Sequence, residues 1–469
     1  MINVYKDLPF DDKLKEECGV MGVYSKDEES VSKLVYYGLY SLQHRGQESA
    51  GIAVCKNETI DYHKDMGLVP EVFQDEILEK LKGKAGIGHV RYSTTGGSQS
   101  YNAQPLVVKY KKGSIAIAHN GNLVNADGLR EILEDEGVIF QTSTDTEVIA
   151  NLLARYHKRG IRDAVKKCMD IIKGSYAMVI TTENKLIGVR DFYGLRPLCI
   201  GKLKDGYVLA SESCALDTIG AEFVRDVEPG EIVEIDENGL KSYKSNKWCK
   251  KNLCVFELIY FARPDSVIDG ANVYLSRNKA GRILAKEAPV DADIVIAVPD
   301  SGTHAAIGYA EESGIPFEIG LVRNRYIGRT FIKPNQDLRE QGVKIKLNVL
   351  KENVEGKRVI MVDDSIVRGT TSRRIVDMLK KAGAKEVHVR VSSPPVKYSC
   401  HFGIDTPYRK NLIAANYPVE EIKEMINADS LAYLSLEGLI KSTGQKEGFC
   451  TACLNGDYPM EVPKEGDKR

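Results

Sequence analysis

One stretch limits what this chain can fold into: Val359-Ile360-Met361-Val362-Asp363-Asp364-Ser365-Ile366-Val367-Arg368-Gly369-Thr370-Thr371-Ser372. Four apolar residues in a row, without alternation, read as a strand buried on both faces, and a parallel sheet flanked by helices provides that burial. Asp363 and Asp364 end the strand at its C-terminal side, where open α/β sheets bind ligands. Small and hydroxyl-bearing residues then lead into a helix expected over 373–382. Backbone N–H groups, threonine hydroxyls and a helix N-terminus together cradle phosphate. Paired acids beside such a loop suit ribose hydroxyls and a magnesium ion. Residues 293–299 form a second buried strand, followed by Asp300-Ser301-Gly302-Thr303, and 386–391 a third. Strand, loop, helix, strand is a βαβ unit, so the second half is α/β.

The first half reads differently. Ser114-Ile115-Ala116-Ile117-Ala118-His119 is a strand, with a turn expected at Asn120-Gly121. Thr142-Ser143-Thr144-Asp145-Thr146-Glu147 is rich in cap formers and opens a helix carrying Val148, Ile149, Leu152, Leu153 and Tyr156. Further strands are expected at 176–181, 185–190, 207–211 and 231–235, which implies a layered α+β structure with large antiparallel sheets. The basic run 241–251 reads as a linker. The domains expected are a leader at 1–17, a first domain at 18–240, a second at 254–457 and a tail at 458–469.

Charge narrows the function. Sixty-five basic residues nearly cancel 66 acidic ones, a net charge of −1, which argues against a nucleic-acid-binding role. Ten cysteines in 469 residues are too sparse for a secreted disulfide scaffold. No apolar run approaches a membrane span, and the charged leader is no signal peptide. A cytoplasmic protein with no membrane association is expected.

Cys18 follows that leader directly. Cleavage before it would free an α-amino group of pKa about 8, which can serve as the nucleophile's own base. His89-Val90-Arg91-Tyr92-Ser93-Thr94 supplies a fixed cation, and Asn120-Gly121 offers one side-chain and one backbone N–H to an oxyanion. Asp145 supplies an anion. With Gln43-His44-Arg45-Gly46-Gln47-Glu48-Ser49-Ala50-Gly51, these segments resemble the N-terminal-nucleophile glutamine amidotransferase domain, whereas 359–372 and Val298-Pro299-Asp300-Ser301-Gly302-Thr303 resemble the phosphoribosylpyrophosphate (PRPP) loops of type I phosphoribosyltransferases. The block Cys254-Val255-Phe256-Glu257-Leu258-Ile259-Tyr260-Phe261-Ala262-Arg263-Pro264-Asp265-Ser266 completes a resemblance to the glutamine PRPP amidotransferase family, iron–sulfur branch with propeptide, from Cys18 to about Asp457.

That resemblance implies a four-layer αββα glutaminase followed by a phosphoribosyltransferase domain, acting in the first committed step of purine synthesis. It implies Cys18 as nucleophile, Asn120 and Gly121 as oxyanion hole, and Arg45, Arg91 and Asp145 at glutamine. It implies Asp300, Ser301, Gly302, Asp363, Asp364, Arg368, Gly369, Thr370, Thr371 and Ser372 at PRPP, with Ser301, Asp363 and Asp364 holding Mg2+. Purine nucleotides as feedback inhibitors and a homotetramer are further implications. The basic stretch 323–346 is expected to close over the polyphosphate. Four thiolates from Cys254, Cys400, Cys450 and Cys453 could hold zinc or an iron–sulfur cluster, and spacing does not choose; the family branch implies [4Fe–4S]. Cys249 rivals Cys254. Another class II glutamine amidotransferase, such as a hexosamine-forming synthase, and a PRPP- or purine-binding iron–sulfur regulator are the alternative functions.

Overall fold

The computed structural model describes residues 18–57, 59–92, 99–182, 185–324, 347–406 and 408–463. The expected leader, most of the basic stretch (325–346), Ser93, Thr94 and the last tail residues lie outside them.

The first half stacks two antiparallel sheets. One has seven strands in the order Glu222–Asp226, Cys199–Leu203, Gly206–Ala210, Gly19–Ser25, Ala85–Arg91, Ser49–Lys56, Thr59–Met66. The other has six, in the order Gly239–Lys244, Glu231–Asp236, Lys185–Arg190, Gly174–Thr182, Gly113–Leu123, Leu106–Tyr110. Strand periodicity explains the layering. From Gly19–Ser25, Val20 and Tyr24 enter the core between the sheets, while Met21 and Val23 face outward against Val31, Val35 and Leu39 of helix Val31–Ser41. From Gly113–Leu123, Ala116 and Ala118 face inward, and Ile115 and Ile117 meet helices Asp145–Tyr156 and Ile161–Ile171. Helix, sheet, sheet, helix is the expected αββα arrangement.

In the second half, strands Ile294–Ala297, Arg358–Asp363, Glu386–Val391 and Ser430–Tyr433 form a parallel sheet in that order. Val295 and Ile360 enter one core and Ile296 and Met361 the other, so both faces are covered, as the uninterrupted apolar runs require. No helix among the described residues is long and apolar enough to cross a membrane.

Four local expectations need correction. Asn120-Gly121 is not a turn: the strand runs on to Leu123, with Asn120 opposite Ala177 and Gly121 opposite Tyr176. Pairing overrides the local turn preference, and Gly121 is required because its φ is +143° and a Cβ there would lie 2.1 Å from the Ser175 carbonyl oxygen. The run 241–251 is only partly linker, because Gly239–Lys244 pairs with Glu231–Asp236 as an edge strand whose lysines discourage further pairing. The helix expected at 373 begins at Thr370, directly after Gly369 at φ +81°. Tyr458, placed at the start of the tail, is docked, its hydroxyl donating to the Ser399 carbonyl at 2.6 Å.

Candidate functional site

Cys18 leads into the central strand of the first sheet. Gly19 pairs with Val90, so Cys18 falls beside Arg91 at the strand end, and its thiol donates to the Tyr92 carbonyl at 3.5 Å. Burial pushes the thiol above its ordinary value, against the nearby Arg91 charge. Arg91 donates to Glu48 at 2.5 Å, a pairing the sequence reading missed because Glu48 lies 43 residues away. His89, two residues before Arg91, is pushed down to about 3, chiefly by burial, and its Nε2 meets the His119 carbonyl at 3.1 Å.

Asn120 comes from the facing sheet. Its side chain is 1% exposed and its amide nitrogen has no hydrogen-bond partner. A buried donor without an acceptor is costly and is expected where an incoming oxygen will accept from it. Asp145, the first residue of its helix, accepts from the Leu123 N–H at 3.0 Å and lies 3.5 Å from His119 Nδ1. Burial alone would raise its carboxyl, but His119 and that N–H hold it below the ordinary carboxylate range.

Arg45 is placed differently from the expectation. Its guanidinium is fully buried, donating to Glu212 at 2.6 Å and Glu257 at 2.8 Å, while Nε reaches the Cys18 carbonyl at 3.2 Å. It therefore contacts the nucleophile's own backbone. Glu212 also accepts from Ser266 Oγ and the Arg263 N–H. The cluster joins the two halves of the chain around Cys18, through partners too distant in sequence to pair by inspection.

A second concentration of polar groups lies where the neighbouring strands Ile294–Ala297 and Arg358–Asp363 end. The Val298 N–H donates to the Val362 carbonyl at 2.9 Å, which sets the two following loops side by side. Ser301 Oγ donates to Asp364 at 2.5 Å, as does Ser365 Oγ, and Asp363 accepts the Asp364 N–H at 2.9 Å. Both acids are 1% exposed. Gly302 is required by this approach, since a Cβ there would lie 2.5 Å from the Val362 carbonyl oxygen. Asp300 is held by Arg323 at 3.1 Å, the one salt bridge that reaches this loop from the start of the basic stretch among the described residues. Arg368, Gly369, Thr370, Thr371 and Ser372 carry the second loop into its helix, and Arg368 Nε is buried without a partner. Arg277, which the sequence reading missed, lies behind the acids. Burial pushes it down to about 10 despite the nearby Asp364, and its guanidinium donates to the carbonyls of Leu258 and Ala262.

Four of the cysteines share one pocket. Cys254 and Cys450 face each other on the short parallel strands Leu253–Cys254 and Phe449–Cys450, and with Cys400 and Cys453 they line one pocket beside Arg196 and Phe402. Burial pushes Cys450 up to about 12 and Cys254 and Cys453 well above the ordinary thiol value. Cys249 is elsewhere, its thiol donating to the Lys247 carbonyl. Four thiols in one apolar pocket are a donor set for a soft metal or an iron–sulfur cluster, whereas Ser301, Asp363 and Asp364 are hard oxygen donors suited to Mg2+. Among the described residues no group of three or more His, Cys, Asp or Glu side chains is already placed to hold a metal ion.

Comparison with known proteins matches both halves. A glutamine amidotransferase domain model matches residues 89–218 and a phosphoribosyl transferase domain model residues 275–393. An amidophosphoribosyltransferase of Archaeoglobus fulgidus is 56% identical over 453 residues, covering 96% of this chain and 99% of the relative. That of Bacillus subtilis is 53% identical over 455 residues, covering 96% and 95%. A solved structure of glutamine PRPP amidotransferase from B. subtilis, complexed with ADP and GMP, superposes with a TM-score of 0.90 at 52% identity, covering 96% of this chain and 98% of that one.

Proposed function

Because the chain belongs to the amidophosphoribosyltransferase family, we propose that its two concentrations of polar groups are the glutaminase and PRPP sites of one coupled reaction. The enzyme is a glutamine-dependent transferase of the first step of purine biosynthesis, combining glutamine amidotransferase and phosphoribosyltransferase domains. The observation that supports the residue assignment best is the buried, unpartnered amide of Asn120.

In this reading Cys18 attacks the side-chain amide of glutamine, and the oxygen that becomes negative accepts from Asn120 Nδ2 and the Gly121 N–H. Arg91 and Asp145 take the substrate's carboxylate and ammonium. The buried thiol needs a base, and removal of residues 1–17 would provide one as the α-amino group of Cys18. Ammonia leaves, a glutamyl thioester remains on Cys18, and water releases glutamate. Ammonia then passes to the PRPP site and displaces pyrophosphate, giving 5-phosphoribosylamine. There Asp363 and Asp364 orient the ribose, residues 368–372 hold the 5′-phosphate, and Asp300, Ser301 and Gly302 face the pyrophosphate. Ser301, Asp363 and Asp364 would hold Mg2+, which supplies neutralising charge to the departing pyrophosphate. Cys254, Cys400, Cys450 and Cys453 would hold a [4Fe–4S] cluster joining the middle of the chain to its C-terminal part, supported by their shared pocket.

Domain limits of 18–240 and 254–457, a homotetramer, and feedback by purine nucleotides belong to the same reading. The ADP and GMP held by the B. subtilis relative support the last. A cytoplasmic location, expected from the sparse cysteines of the sequence, belongs to the same reading. A hexosamine-forming synthase is disfavoured by the phosphoribosyl transferase match, and a regulator that only binds ligands has no use for the Cys18–Asn120 pair.

The test is release of glutamate and pyrophosphate from glutamine, Mg2+ and PRPP by anaerobically purified protein, with intact mass, iron and sulfide measured. Near-equal, PRPP-dependent release from protein beginning at Cys18 is expected. Glutamate without pyrophosphate would overturn the second-site assignment.

A further inference from the structure

The strand carrying Asn120 and Gly121 is held from behind by the turn that follows Cys400, and we infer that this turn is a brace setting the oxyanion donors from the other half of the chain. The inference rests on the glutaminase reading above. Three links make the brace. Asn122 Nδ2 donates to the His401 carbonyl at 2.9 Å. Ser175 Oγ donates to the Phe402 carbonyl at 2.7 Å and accepts the Asn122 N–H at 3.1 Å. Arg196 Nη2 donates to the same Phe402 carbonyl.

The contact is close enough to transmit position. Ser175 is fully buried, and its backbone abuts Gly121, as the missing Cβ at Gly121 demonstrates. Gly403 approaches from the other side: at φ +103°, a Cβ there would lie 2.7 Å from Arg196 Nη2 and 3.2 Å from the Gly121 carbonyl carbon. The turn's own start is tied down, since the Phe402 N–H lies 3.3 Å from Cys400 Sγ. Gly121 is thus clasped between Ser175, its neighbour in the sheet, whose hydroxyl is fixed by the Phe402 carbonyl, and Gly403 itself. An oxyanion donor works only at the distance and direction of the developing charge, so a displacement of about 1 Å costs on the order of 100-fold in rate. Ser175 and Asn122 are positioning residues, acting through Gly121 without touching substrate.

The experiment compares Ser175→Ala, Asn122→Ala and Cys18→Ala in the full, cluster-loaded chain, measuring kcat and KM for glutamine hydrolysis and pyrophosphate release with ammonia replacing glutamine. Ammonia bypasses the glutaminase and so reports whether the fold and PRPP site are intact. Ser175→Ala is expected to lower glutaminase kcat about 10- to 100-fold with KM within about twofold and the ammonia-driven rate retained. Asn122→Ala, which removes one link at a half-buried position, is expected to show the same split at smaller size. A wild-type glutaminase kcat in both variants, or equal loss of both activities in both, overturns the brace. If Cys18→Ala keeps glutaminase activity, the glutaminase site itself is misassigned, which is a distinguishable failure.

Discussion

The two sites handle buried polarity in opposite ways. At the ends of the parallel strands the acids satisfy one another's surroundings: Ser301 and Ser365 both donate to Asp364, and Asp363 accepts a backbone N–H. At the meeting of the two antiparallel sheets, Asn120 keeps its amide donor without a partner, while the charges behind Cys18 are paired around Arg45. In the phosphoribosyl site the acids are satisfied within their own loops, and the unpartnered buried donor is Arg368 Nε, one residue before Gly369. The glutaminase site stores its organisation in a network that spans both halves of the chain. A site assembled on one strand–loop–helix unit carries its own order, whereas a site at a sheet interface borrows order from elsewhere.

That contrast can be broken most sharply at the nucleophile. Cys18→Ala is expected to lower glutamine-dependent activity at least about 10⁴-fold while ammonia still supports pyrophosphate release, and parallel assays with the two nitrogen sources check it. Loss of both would mean the sites are not separable. Next is the network. Glu257→Gln leaves the buried Arg45 charge undercompensated and is expected to cost about 3–5 kcal/mol, read as a lowered urea midpoint. A midpoint equal to that of the parent chain would show that Arg45 does not depend on the second half. Asn120→Ala should lower glutaminase kcat about 10²- to 10³-fold with little change in KM. A change confined to KM would make Asn120 a glutamine-binding group instead.

The smallest effect is in pH. Burial opposes ionisation of Glu212, but His44, Arg45 and the Ser266 hydroxyl hold its carboxyl well below the ordinary range. A depressed carboxyl contributes stability that is fully present above its unfolded value, about 4.3, and is lost as pH falls below it. Thermal midpoints of the parent and of Glu212→Gln should therefore converge as pH drops from 5 towards 3. A gap that stays constant would place the stabilising charge elsewhere.

Local patterns made the phosphoribosyl half largely readable. An uninterrupted apolar run, two acids and a hydroxyl loop lie contiguously from Val359 to Ser372, and the structure keeps them contiguous from strand Arg358–Asp363 into helix Thr370–Lys381. The glutaminase half was readable only in pieces. Asn120-Gly121 looked like a turn because turn preference is local, whereas pairing with Ala177 and Tyr176 is a long-range matter. The ion pairs of Arg45 were not readable because its partners Glu212 and Glu257 stand 167 and 212 residues away.

Burial periodicity and short motifs, all set by neighbouring residues, pointed to a layered first half with antiparallel sheets and an α/β second half with a parallel sheet, and the family resemblance of those motifs supplied the αββα layering and the chemistry of each half. Tertiary structure alone decided which charges neutralise which, that Cys254 and not Cys249 shares a pocket with Cys400, Cys450 and Cys453, and that residues 401–403 press against the oxyanion strand. Those facts depend on pairs of side chains brought within hydrogen-bonding distance by the packing of distant segments, and short-range order along a chain carries no record of such pairs.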